Sequence, residues 1–590
     1  MTTPQISAVR ALLALLALSA ALALLSCTAE PEAPQAGFSL RDADGATRTV
    51  RRQRVDDAGA LGLDTDLSLT VFDVDGGFAS SGNAEVLTLA LWDAGGAQLG
   101  VIGDDGQGHL LRALPEQARG LTIVETALPP DQRYNGFLIA HRDNRPEARV
   151  DSATLSAASA HFEYDGSALH LGAGIELEAF DWAARRSIRL AVAPAAREQL
   201  DSHSWAINLR FDPQAAAVAT HPDNGEAYTA GQVRFSNSER SRSMRLVLTP
   251  GNADLYFNSG IIGFVPSSIE VEVEPGMAVE YVSVQPDALV GTGTTYPAIP
   301  ADLGVINFYD QRAWRHPRFE LFAWNVADNV LVFDFADLDI QRDMFGRLGF
   351  FVAVAGEAGQ IFPEEYYEGR HTYNAHDYRP QDLVSFFTTA EQTGVALNQR
   401  EQFLREVLID YGIIHHDGNR YTEGHGAVLS FSRATWRPLR QRLLRHEAMH
   451  GIFYVSERFR EGSFELWDRM SALEQEYWRL FLGNKGRMDG REGYDGYDVD
   501  RHYLLVNEMQ AHVLQLHPHE VNPYFRDFYA GRIREVAPSS AHVVDDLLAA
   551  EPDVFVNTRR ALEELLEEVT GVSGGYLMAV YPEEAEILHR

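Results

Sequence analysis

Upstream of about residue 320 the chain is written in short runs where apolar and polar residues alternate. Leu67–Phe72, Glu85–Leu91, Arg245–Thr249 and Ile269–Val273 are examples, and clusters such as Asp73-Val-Asp-Gly-Gly77 and Asp104-Asp-Gly-Gln-Gly108 separate them. A period of two sends successive side chains to opposite faces, so these runs predict antiparallel strands with one face buried. Two sandwich-like β-rich units are expected, over 37–150 and 151–320. Beyond 320 the texture changes. Val330–Phe335 reads as a strand buried on both faces, and helical periodicity then covers Glu401–Gly412, Trp436–Val455, Ser463–Leu482, Asp500–Leu516 and Thr558–Thr570. Gly412 and Gly571 stand where C-terminal caps belong.

The N-terminus constrains location. Arg10 precedes an apolar run, Ala11–Leu25, too short for a comfortable span, and the run ends in Leu24-Leu25-Ser26-Cys27. This resembles the bacterial lipobox, which implies a signal peptide over 1–26, lipidation of Cys27 and a polar tether over 27–36. Thr28 after the cysteine implies the outer membrane of a bacterial envelope by the same resemblance. Cys27 is the only cysteine, so the mature chain is expected to have no disulfide and no thiolate-held metal. A formal charge of −34 argues against a nucleic-acid partner, since a polyanion would be repelled.

One string in the helical half carries chemistry: His446-Glu447-Ala448-Met449-His450. On a helix the two histidines lie one turn apart, on the face shared with Leu439, Leu443 and Phe453. Imidazoles at i and i+4 can each offer a ring nitrogen to one zinc at about 2.1 Å. Glu447 points to the side, where a carboxylate reaches a water on that metal. Two buried histidines satisfied by hydrogen bonds would show the same string. A zinc site needs a third protein ligand. Ser456 and Phe453 stand where metzincins place that ligand and its glycine, which excludes that family. Glu457 would lie about 10 Å further along a continuous helix, out of reach unless the helix breaks at Gly451 or beyond. Glu508 is the better candidate: it shares a face with Leu504, Leu505, Ala511, His512 and Gln515, on a helix that Asp500 can cap. A carboxylate in a largely apolar stripe needs a partner, either a metal or a hydrogen-bonding group across an interface.

His446-Glu447-x-x-His450 followed by Asn507-Glu508 on a second helix resembles the gluzincin peptidases, the thermolysin-like class, over roughly residues 436–516. The resemblance implies His446, His450 and Glu508 as ligands to one zinc ion, Glu447 as the general base and Asn507 beside the ligand. It implies a mainly α, zincin-like α+β catalytic domain over 321–590, behind an all-β N-terminal region. Two departures stand out. The stretch from His450 to Glu508 is far longer than in thermolysin, and His512 occupies the place of an Asp that often binds a ligand histidine.

Gly426–Ser432, just before the motif, is expected to be the strand that borders the cleft and pairs with an extended substrate. Asn374-Ala-His-Asp-Tyr378 reads as a polar turn, with a supporting contact to the site as the alternative. Asn507, His512 and Tyr503 are candidates for supporting the ligands or an oxyanion, and His517, His519 and His542 are chemically able to donate as well. The expected activity is hydrolysis of peptide or protein substrates by a membrane-anchored zinc enzyme. The competing reading is a non-catalytic, adhesin-like lipoprotein with a structural or degenerate motif.

Overall fold

The computed structural model describes residues 39–587 apart from short internal stretches, the longest being 214–227. The signal segment, Cys27 and the tether lie outside the described residues. Strands between Ser39 and Ala157 form one nine-stranded sheet. Leu99 and Phe137 from one end of its strand order share a core with Leu87 and Val124 from the other, so the sheet folds over on itself. The strands between Ala160 and Pro286 divide between a five-stranded and a seven-stranded sheet, whose inward residues, such as Ile207 and Val233, belong to one core.

A third region positions the motif. Strands β1 (Ile299–Ala301), β2 (Phe319–Trp324), β3 (Val330–Phe335), β4 (Ala375–Tyr378) and β5 (Ala427–Ser432) form a sheet in the order β1-β2-β3-β5-β4. Every residue of β2, β3 and β5 is buried, as their largely apolar character leads one to expect, and Glu320 and Asp334 are buried with them. Among the helices that follow, five bear on the site: α1 (Arg437–Val455), α2 (Glu457–Arg469), α3 (Ala472–Gly483), α4 (His502–Leu514) and α5 (Val554–Thr570). No helix among the described residues is long and apolar enough to cross a membrane.

The expected fold, an all-β sandwich-like region followed by a separate, mainly α zincin-like domain, needs correction. Sheets are not confined to the N-terminal part: a five-stranded sheet takes its strands from between Ile299 and Ser432, and Phe38–Arg590 forms one compact unit. The tail strand Val580–Pro582 leaves the helices and pairs antiparallel with Arg240–Leu248 of the seven-stranded sheet. Val233, Val332, Met449 and Leu562 all belong to one continuous core. Local periodicity reports which face of an element is buried, not which distant element covers it. The long-range pairing of the tail was therefore invisible in the sequence.

Other boundaries moved for local reasons. The single helix expected over Ser463–Leu482 is two, because Ser471 caps α3 by accepting from the Glu474 amide at 3.1 Å. Ser456 likewise ends α1 and caps α2, accepting from Phe459 N at 3.2 Å. Arg501, not Asp500, stands at the N-cap position of helix α4, and its side chain makes no capping hydrogen bond.

Candidate metal centre

Helix α1 is fixed to the sheet at two points. At its start the fully buried Asp334 of β3 accepts from Arg433 Nε at 2.6 Å and from Arg440 Nη2 at 3.1 Å. Near its end Gly451 brings the backbone close to the sheet, where an added Cβ would lie 3.2 Å from Val330 Cγ1. Between these points His446, Glu447 and His450 are all buried. Helix α4 is buried from Leu505 to Leu514, so it is a central helix and carries Glu508 into the interior opposite α1.

The structure brings His446, His450 and Glu508 together. The two imidazole Nε2 atoms are 3.2 Å apart. His446 Nε2 lies 3.4 Å from Glu508 Oε2, and His450 Nε2 lies 3.8 Å from Oε1. Atoms bound tetrahedrally to zinc at about 2.1 Å sit ~3.4 Å from one another, so all three edges suit one shared ion. Glu508 Oε2 is buried with no hydrogen-bond partner, as a carboxylate oxygen awaiting a cation would be. Burial pushes His446 down to about 4, which keeps its ring neutral, the form a ligand needs. Burial pushes Glu508 up to about 7 despite the His450 ring and a hydrogen bond from Tyr497.

Potential metal-ligating atoms form two adjoining groups among the described residues: His446, Glu508 and His512, and Asp377, Glu447 and His450, each within 4.8 Å. His450 Nε2 has one lone pair and serves only one ion; it lies 3.2 Å from His446 Nε2 and 3.8 Å from Glu508 Oε1. His512 Nε2 lies 4.0 Å from Glu508 Oε2. The Gln515 amide nitrogen contacts both the His512 carbonyl, at 3.2 Å, and its Nδ1, at 3.0 Å. That donation leaves the proton of the neutral ring on Nε2, making His512 a donor aimed at the site, not a ligand. Burial, then the His446, Lys485 and His450 charges, hold His512 well below the usual histidine range.

Glu447 faces a second carboxylate, Asp377 of β4. Burial, then the charges of Asp377 and Glu508, raise the Glu447 carboxyl well above its ordinary range. Burial also opposes the charge on Asp377, but the His450 ring and hydrogen bonds from Tyr454 and Glu447 outweigh it and keep that carboxyl low. A divalent cation beside these groups would favour the ionised form of Glu447.

The remaining candidates fall outside this cluster or support it. Asn507 donates to Tyr454 Oη at 3.3 Å and accepts from Gln510 Nε2 at 3.0 Å, so it ties α4 to α1. Tyr503 packs between Phe453, Phe464 and the Arg379 guanidinium. His517 pairs with Arg445 at 3.0 Å and stacks on His519, while His542 bonds Ser539. Glu457 is exposed.

The strand expected to border the cleft is internal: β5 lies between β3 and β4, and the edge strand is β4. The segment Asn374–Tyr378, expected as a turn, thus supplies the sheet edge and Asp377. Sequence reasoning also missed Tyr454 and Tyr497. Tyr454 was within reach, since it stands one turn beyond His450 on the same helical face.

No family model matches this chain, and no curated protein does. Among solved structures, a mutant of oxalate decarboxylase from Bacillus subtilis is 10% identical over 41% of this chain and 73% of its own, with a TM-score of 0.12. Protein Ylba from E. coli is 12% identical over 44% of this chain and 95% of its own, with a TM-score of 0.11. Scores this low carry no argument about fold or activity.

Proposed function

We propose that this protein is a zinc-dependent peptidase, with zinc held by His446, His450 and Glu508. The observation that carries the reading is the triangle of two Nε2 atoms and one carboxylate, with edges of 3.2, 3.4 and 3.8 Å, drawn from two helices. Zinc bound there supplies a Lewis acid and lowers the pKa of a water toward neutrality. Glu447 takes the proton of the water that attacks a peptide carbonyl carbon. It returns that proton to the amide nitrogen as the C–N bond breaks, leaving a carboxylate and an amine. His512 donates its Nε2 proton to the oxygen on which negative charge develops. The N-terminal sequence supports tethering through lipidated Cys27 to a bacterial membrane, and loss of labelled fatty acid from C27S would accompany that anchor.

Digestion of a peptide library by the zinc-loaded chain is the test. Cleavage abolished by chelation, and lost in Glu447→Gln with zinc still bound, supports the reading. Full activity in that variant, or no chelator-sensitive cleavage by the wild type, rejects it.

A further inference from the structure

Glu447, buried, and Asp377, half-buried, bring two carboxyl groups within 4.8 Å of each other, and neither is a member of the ligand triangle. We infer that Asp377, held by Tyr454, is a positioning residue that fixes the Glu447 carboxyl beside the metal-binding triangle. The inference rests on the peptidase reading for its chemistry, but its geometry stands alone.

Asp377 belongs to β4, whose backbone pairs with β5 in the register Asp377 to Leu429, so its Cα is set by the sheet. Tyr454 Oη donates to Asp377 Oδ2. Tyr454 is held in turn by the Asn507 amide at 3.3 Å, and Asn507 by Gln510 at 3.0 Å. Gln510 also reaches the Met449 carbonyl at 3.4 Å. A continuous chain of hydrogen bonds therefore runs from α4, which supplies Glu508, through Tyr454 on α1 to the edge strand. Its far end lies within 4.8 Å of the Glu447 and His450 ligand atoms.

A glutamate side chain has three rotatable bonds and needs a partner to stay in one arrangement; two carboxyls serve as partners with one proton between them, which leaves the other oxygen of Glu447 to take the water's proton. The chain of contacts gives Asn507 a role: it anchors the residue that anchors the base's neighbour. It also gives β4 a role besides closing the sheet. Asp377, Glu447 and His450 taken as a second metal site would require His450 Nε2, 3.2 Å from His446 Nε2 and 3.8 Å from Glu508 Oε1, to serve an ion outside the triangle.

The test uses the full-length chain with Asp377→Asn and Tyr454→Phe. Each variant is expected to keep one zinc per chain. Cleavage of the best library peptide should fall by about 10- to 100-fold in kcat, with KM little changed, as for other groups that orient a reacting residue. Crystals of both variants with zinc should show Glu447 displaced or without a single conformation, and the three ligands unmoved. Loss of zinc from Asp377→Asn would make Asp377 a ligand and overturn the inference. So would an unmoved Glu447 in both variants, whatever the wild type does to peptides. A wild type without chelator-sensitive cleavage, with Glu447 displaced in the variants, refutes the peptidase and leaves the positioning role standing.

Discussion

Replacing Asp334 by alanine should do far more harm than replacing the arginine it binds. Asp334 and Arg440 have side chains 0% and 3% exposed, and their contact sets how α1 starts against β3. Arg433 is also bound to Asp334, but it donates to the carbonyls of Asn307 and Ile306 at 2.9 Å each and keeps those partners without the carboxylate. Arg440 has no such reserve: its Nε and Nη1 are buried without hydrogen bonds. Burial, opposed by Asp334 and reinforced by Arg433, already pushes its guanidinium down to about 10. Asp334→Ala strands this cation in the interior, and a buried charge that loses its partner costs about 3–5 kcal/mol. Arg440→Met leaves Asp334 paired with Arg433 and removes a poorly satisfied guanidinium, so it should cost no more than about 1 kcal/mol. Urea unfolding of the zinc-loaded chain, followed by tryptophan fluorescence, gives both differences when the slopes match. The reasoning fails if the two variants lose equal stability, or if Arg440→Met loses more.

Asp302 accepts from the amides of Gly304 at 2.7 Å and Ala579 at 2.9 Å, tying the tail to the body of the fold. Burial outweighs these bonds and pushes its carboxyl from 3.8 up to about 6. The folded chain then holds a proton that the unfolded chain has lost, so this stabilisation is full below about pH 4 and disappears as pH rises through 6. Its size is (6 − 3.8) × 1.36, or about 3 kcal/mol. Between pH 4.5 and 7, where about two thirds of this fall takes place, the unfolding free energy should drop by about 2 kcal/mol more in the wild type than in Asp302→Asn; equal drops would count against it. Gly451→Val should push α1 off β3, where Val330 already lies 3.2 Å from an added Cβ, at about 1–3 kcal/mol and with weaker zinc binding. Unchanged zinc affinity in a destabilised Gly451→Val would separate the helix position from the metal site.

The parts of this protein that were legible are those whose information is local. His446 and His450 are one helical turn apart in any helix, and the apolar stripe around Glu508 marks its side chain as inward from sequence alone. Val330–Phe335 was readable as a buried strand, because no alternating pattern could place it at a surface. Asp377 was not legible. It stands far upstream of Glu447, and only the pairing of β4 with β5 brings the two carboxylates together. A segment as short as Ala375–Tyr378, with polar side chains at His376 and Asp377, carries too little pattern to distinguish an edge strand from a turn. The roles of β4 and β5 were exchanged for the same reason: strand order is a non-local property. The expected order of an all-β region followed by a mainly α, zincin-like α+β domain is broken at the tail, where Val580–Pro582 crosses to a sheet built much earlier in the chain.

Anomalous diffraction at the zinc edge, from crystals of the full chain grown with zinc, tests the site most directly. One peak is expected, about 2.1 Å from His446 Nε2, His450 Nε2 and a Glu508 oxygen, and it should vanish or weaken strongly in Glu508→Gln. A peak lying between Asp377 and Glu447, or no ordered zinc near either helix, would contradict the account.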